Sequence, residues 1–148
     1  MKTLDICRTN VVTATAATVL PEIAKLMRRN HVGSVVVVDA ADARIPLGIV
    51  TDRDIVLEVV AAGQDARTIT AGEIMSAPLV TANGADDVSW TLKVMRDRGV
   101  RRLPVLDEQG AMAGIVALDD LLNAASASLT DVVQAIGTER VVEAAHRG

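Results

Sequence analysis

The chain has 148 residues, half of them hydrophobic, a formal net charge of −4, one Cys and, apart from a single Trp, no aromatic side chain. It is long enough for one compact body with an aliphatic core, its charge argues against binding nucleic acid or an anionic membrane, and the lone Cys7 excludes an internal disulfide. No stretch approaches the roughly 18 apolar residues of a membrane span and no apolar run follows basic residues at the N-terminus, so a cytoplasmic location is expected.

In chain order, Val11-Val12-Thr13 predicts a short strand. A helix is predicted over Val19 to Asn30, with Leu20, Ile23, Ala24 and Met27 on one stripe, Thr18 as N-cap and Pro21 in the first turn. Ser34 to Asp39, with four consecutive valines, reads as a strand buried on both faces. The polar Ala40 to Arg44 segment turns the chain, and Ile45 to Thr51 returns as the partner strand. A second helix runs from about Asp52 to Ala62 and stops before Gly63. In the polar connector that follows, Thr70 and Glu73 have capping-box spacing for a helical turn around Ile74-Met75.

The order then begins again. Asp5 to Asp39 lies over Glu73 to Asp107 at a constant offset of 68 residues, without a gap. Lys25-Leu26-Met27-Arg28 falls on Lys93-Val94-Met95-Arg96, and after a two-residue shortening Gly48-Ile49-Val50 meets Gly114-Ile115-Val116 and Asp54 meets Asp120. A repeat of this length is one supersecondary unit that cannot bury its apolar face alone, so the two copies are expected to pack together. The organisation expected is a first repeat over 4–63, a linker over 64–72, a second repeat over 73–126 and a helical tail over 128–146. Ser128 and Asp131 have capping-box spacing for a separate tail helix with Leu129, Val132, Val133 and Ile136 on one face. Gly137 interrupts it, and Val141, Val142 and Ala145 resume on a shifted face. The tail either packs on its own body or is offered to a second subunit.

Gly48-Ile49-Val50-Thr51-Asp52-Arg53-Asp54, the Gly99-to-Asp107 strand before the second such motif, and the Glu73-Ile74-Met75 opening resemble the CBS-domain pair, or Bateman module, over about Leu4 to Ser126. The resemblance implies an α+β fold of two β-α-β-β-α repeats related by a pseudo-twofold axis, with two clefts between facing sheets and, here, a C-terminal helical extension. It also implies an adenosine-containing ligand (AMP-, ADP- or ATP-like) in a cleft, a regulatory role reported to a partner protein, and homodimerisation through the helices.

The chemistry of the residues points the same way. Thr51 and Asp54 at a strand-to-helix junction form a capping box on one reading. On the other, the Asp54 carboxylate accepts hydrogen bonds from both hydroxyls of a ribose. Arg101 and Arg102 precede the second copy's central strand, and neighbouring residues there face opposite ways. The alternative for these arginines is a solvated strand end paired with Asp97. The family pattern implies Thr51 and Asp54 at the ribose and Arg102, aided by Arg101, at the phosphate; adenine is expected to rest against backbone and aliphatic groups near Val12, Thr13 and Ile49. The second cleft keeps Asp120, with Thr81, but has Ala117 for Thr51 and Gly33-Ser34 for the two arginines, so it is expected to be weak or empty. Trp90, off the stripe of Val88, Leu92 and Met95, is a candidate interface anchor.

Catalytic residues are not evident: His31 and His146 lack metal-ligand spacing, and Cys7 has no adjacent base. No cofactor is expected beyond the regulatory nucleotide. Two other readings remain open, an interaction module with vestigial clefts and a metal- or redox-linked regulator using Cys7 and His31.

Overall fold

The structure, a computed structural model, describes residues 1–147. In chain order it comprises α1 (Thr3–Ile6), β1 (Thr13–Thr15), α2 (Leu20–Asn30), β2 (Ser34–Val38), β3 (Pro46–Thr51), α3 (Asp52–Ile55, continued by a π-helical turn over Val56–Val60), α4 (Ala71–Ile74), β4 (Ala82–Asn83), α5 (Val88–Arg98), β5 (Arg102–Leu106), β6 (Met112–Ala117) and α6 (Leu118–Arg147). The described residues form two three-stranded sheets of matching topology, β1-β2-β3 and β4-β5-β6. In each, the middle strand runs parallel to the first and antiparallel to the third, with equivalent registers such as Val36↔Ile49 and Pro104↔Ile115. The α+β class and the doubled repeat are therefore as expected.

Each sheet has its own aliphatic core. Leu20, Ile23 and Met27 of α2 pack on Val35, Val37 and Val50. In the other half Met95 packs on Leu103, Val105, Val116 and Leu121. Val35 to Val38 are all buried, which is why this strand carries valine on both faces instead of alternating with polar residues.

The cores are closed by exchanged segments. Ala71 at the end of the linker and Ile74 and Met75, which open the second copy, complete the first core, whereas Ile6 and Cys7, which open the first copy, pack on the second. Backbone bonds fix the exchange: Ser76 N–H donates to the Ile49 carbonyl at 2.9 Å, and Arg8 exchanges two bonds with Ile115 at 2.8 and 2.9 Å. The arriving segments press on the glycine of each motif. A Cβ on Gly114 would lie 2.6 Å from the Arg8 carbonyl oxygen and 2.7 Å from the Cys7 sulfur, and one on Gly48 would lie 2.5 Å from the Met75 sulfur.

Several local expectations are corrected. β1 begins at Thr13, not Val11. The N-caps of α2 and α5 are Val19 and Asp87, one residue after Thr18 and Asp86; Thr18 instead contacts Thr15 through their hydroxyls at 3.3 Å. Thr70 caps α4 with its backbone alone, so the Thr70–Glu73 box does not form. Ala24 and Leu92 are exposed, and the buried partner of Met95 on α5 is Thr91, whose hydroxyl lies 2.6 Å from that of buried Thr3. His31 ends α2 in the left-handed conformation (φ 53°), the place Gly99 takes after α5 (φ 64°), so its position has a backbone explanation.

The tail differs most. No new helix starts at Ser128: α6 runs unbroken through it and through Gly137. The Ser128 and Thr130 hydroxyls donate to carbonyls four residues back, as in a helix interior, at 3.2 and 3.1 Å. From Ala125 to Glu139 and from Val141 to His146 the side chains are exposed, so the tail does not pack on its own body.

Candidate functional site

Thr51 is the last residue of β3 and leaves the strand with extended backbone, so the first turn of α3 begins at the sheet's carboxyl end. The capping box is formed: Asp54 N–H donates to Thr51 Oγ1 at 3.1 Å, and Thr51 N–H donates to Asp54 Oδ2 at 2.8 Å. The capping role and the ligand role are not exclusive. The box engages Oδ2, while Oδ1 accepts no hydrogen bond from the described residues. Asp54 thus presents a half-buried carboxylate held in one orientation by backbone bonds.

Asp54 and Thr51 line a cavity of about 500 Å³ whose opposite wall comes from the other copy, including Val80, Arg101, Arg102 and Asp119. Arg102 is half-buried at the start of β5, paired across the sheet with Ala117. Its guanidinium lies 3.5 Å from where a Gly33 Cβ would stand, so the absence of a side chain there makes room for it beside the first copy. Neither Arg101 nor Arg102 is in a salt bridge among the described residues, and Asp97 pairs with Arg96 at 3.1 Å instead. One cavity therefore contains the fixed Asp54 carboxylate and two arginines from the opposite repeat, together with Asp52, Arg53 and Asp119 and the aliphatic Ile49, Leu79 and Val80. That combination suits a ligand with an apolar ring, a hydroxylated middle and an anionic end.

Val12 does not belong to this cavity. It lines a second one, of about 360 Å³, with Asp120, while Thr13 and Thr81 line neither. The reason is that each cavity combines one repeat's strand-end Asp with the other repeat's segment before its first strand. Leu79 and Val80, the counterparts of Val11 and Val12, therefore stand opposite Asp54. The Ser76-to-Val80 segment reaches this place through a cis Ala77–Pro78 peptide.

In the second cavity Ala117 N–H donates to Asp120 Oδ2 at 2.9 Å, repeating half of the box without the hydroxyl. Asp120 Oδ1 is engaged by a residue that sequence reasoning overlooked, Arg8, whose Nε donates at 3.1 Å. Under the 68-residue offset Arg8 falls on Ser76, and that exchange of a small polar for a cationic side chain was the available signal.

Cys7 packs against the second core and His31 lines the second cavity. Burial, above all, pushes the Cys7 thiol up, the Asp120 and Asp5 carboxylates add to this, and a backbone hydrogen bond opposes it. That is the reverse of the thiolate character a reactive cysteine needs. No group of three His, Cys, Asp or Glu residues able to hold a metal ion occurs among the described residues. Trp90 is exposed, with Lys93 Nζ 5.0 Å from its ring centroid. Exposed Leu122, Leu129, Val133 and Ile136 extend along α6. No helix of the described residues is long and apolar enough to cross a membrane.

Comparison with known proteins agrees with the doubled fold. The CBS-domain family model matches residues 4–61 and 71–127. An uncharacterised protein of Methanopyrus kandleri is 39% identical over 118 residues, covering 80% of this chain; the chain spans only 59% of that protein's length. Among solved structures, a hexameric CBS-CP12 protein from bloom-forming cyanobacteria has a TM-score of 0.75 at 30% identity, covering 82% of this chain and 66% of that one. A CBS domain protein from Pyrobaculum aerophilum, solved as a complex with AMP, has a TM-score of 0.74 at 25% identity, covering 81% of this chain and 89% of that one.

Proposed function

Since the chain belongs to the CBS-domain family, we propose that it is a regulatory, non-catalytic module that binds an adenosine-containing nucleotide in the larger cavity and transmits its occupancy to a partner protein or a second copy. The observation that carries this is the opposition, across one cavity, of the boxed Asp54 carboxylate with its open Oδ1 and the arginines 101 and 102. In this reading Asp54 accepts from the ribose hydroxyls, Arg102 with Arg101 meets the phosphate, and the base lies against Ile49 and Val80. The AMP in the Pyrobaculum aerophilum relative supports the ligand class. Since the two walls come from different repeats, a ligand that binds one arrangement of them better shifts the population toward it.

Calorimetric titration with AMP and with adenosine tests the reading. Wild type binds AMP more tightly than adenosine, and Arg102→Ala removes that preference, weakening AMP by about tenfold or more while leaving adenosine nearly unchanged. Equal losses for both ligands would sever Arg102 from the phosphate.

The interaction-module reading draws on a different observation, the exposure of Trp90 and of the apolar stripe on α6. Assembly of copies through this helical surface is compatible with nucleotide binding, and the hexameric cyanobacterial relative supports self-association. If Trp90 is an anchor, Trp90→Ala weakens the dimer by about thirtyfold in sedimentation equilibrium. An unchanged dissociation constant excludes it from the interface.

A further inference from the structure

The two strand-end carboxylates are held alike, atom for atom. Thr51 N–H donates to Asp54 Oδ2 at 2.8 Å, and Ala117 N–H donates to Asp120 Oδ2 at 2.9 Å. The oxygens left over are therefore equivalent, yet their surroundings differ. Asp54 lines a cavity that Ser76 also lines, and its Oδ1 accepts no hydrogen bond from the described residues, whereas Asp120 Oδ1 accepts the Nε proton of Arg8 at 3.1 Å. Ser76 and Arg8 occupy the same place, since each is bridged to the matching strand residue, Ile49 or Ile115.

From this correspondence we infer that Arg8 acts as an internal occupant of the second cleft, whose wall Arg102 also lines, and that its side chain holds a second nucleotide off Asp120. The inference rests on the nucleotide reading of Asp54. A ribose hydroxyl and the Arg8 Nε–H are both donors that need the same acceptor oxygen, so they compete for it. Arg8 holds an advantage because its backbone is tied to β6 on both sides of the peptide, at 2.8 and 2.9 Å, and its side chain need not be brought in from solution. The Asp120 side chain is only 10% exposed, so the ion pair is screened less than a surface one, while the 69% exposed Arg8 side chain can leave without opening the core. Removing Arg8 uncovers an acceptor already aligned by Ala117 and restores the small polar side chain found beside Asp54.

Calorimetric titration of AMP into wild type, Arg8→Ser and the double variant Arg8→Ser/Asp120→Ala tests this. Arg8→Ser gains one AMP per chain over wild type, or tightens a weak second phase by about tenfold to a hundredfold, the range of a charge-assisted hydrogen bond. The gain disappears in the double variant and survives when Asp54→Ala is added to Arg8→Ser. Arg8→Ala, judged folded by its thermal melt, gives the same gain. An AMP count and affinity in Arg8→Ser equal to wild type overturns the inference, as does a gain that persists without Asp120. The count in wild type reports separately on the nucleotide reading of Asp54, because the inference concerns the difference between the variants.

Discussion

Asp54→Ala lowers the affinity for AMP by about a hundredfold. Two charge-assisted hydrogen bonds to the ribose are lost, each worth about 1.5–3 kcal/mol before the gain from re-solvated groups is deducted, and about 2.7 kcal/mol corresponds to that factor. The same change removes half of the capping box, which costs about 1 kcal/mol of stability, so binding and folding must be read separately. Asp54→Asn does so. Its side-chain oxygen still accepts from Thr51 N–H, preserving most of the cap, but it lacks the charge that draws two hydroxyl donors. Titration calorimetry therefore finds AMP binding much weakened in both variants, while thermal melts find the stability loss mainly in Asp54→Ala. Undiminished AMP binding in both would mean that the cavity does not read a ribose through Asp54.

A single methyl group at Gly114 lowers the melting temperature by about 10 °C. The added Cβ would lie 2.6 Å from the Arg8 carbonyl oxygen and 2.7 Å from the Cys7 sulfur, and the carbonyl cannot step aside because it accepts from Ile115 N–H at 2.9 Å. The N-terminal segment must shift off β6, taking Cys7 and Ile6 from the core that they complete. Overpacking of this kind costs about 3 kcal/mol, and a chain of this size loses about 3 °C for each. The equivalent Gly48→Ala is destabilising too, by about 2 kcal/mol, since the added Cβ meets the Met75 sulfur at 2.5 Å, its Cγ at 2.7 Å and its Cβ at 3.0 Å, but no backbone carbonyl among its nearest atoms. Equal melting temperatures for Gly114→Ala and wild type would show that the clasp is not held as described.

What was legible in the sequence follows a physical pattern. The repeat, the valine strand and the Thr51–Asp54 box are local features, and period and spacing report local structure well. The exchange of Ala71–Met75 and Ile6–Cys7 between cores is not local. An internal alignment says that two segments are alike but not which copy each packs on, and for that reason Val12 and Thr13 were set opposite Asp54 when Leu79 and Val80 belong there. Arg8 was missed for the same cause, since its partner Asp120 lies 112 positions away. The supposed start at Ser128 failed differently. Ser and Asp at capping spacing define a helix start only where the preceding chain is not already helical, and nothing from Leu118 to Ala127 breaks the helix.

The unbroken α6 joins two places that the sequence had separated. Its first residues, Leu118 and Asp119, are part of the wall of the larger cavity, and its far half stands clear of the body. A helix of 30 residues is about 45 Å long. Tilting it by about 5° around its first turn carries the other end about 4 Å. On the proposed nucleotide reading the helix would act as a lever: an adjustment of its first turn in the cavity wall would be carried, magnified, to an apolar stripe that a ligand in the cavity does not touch.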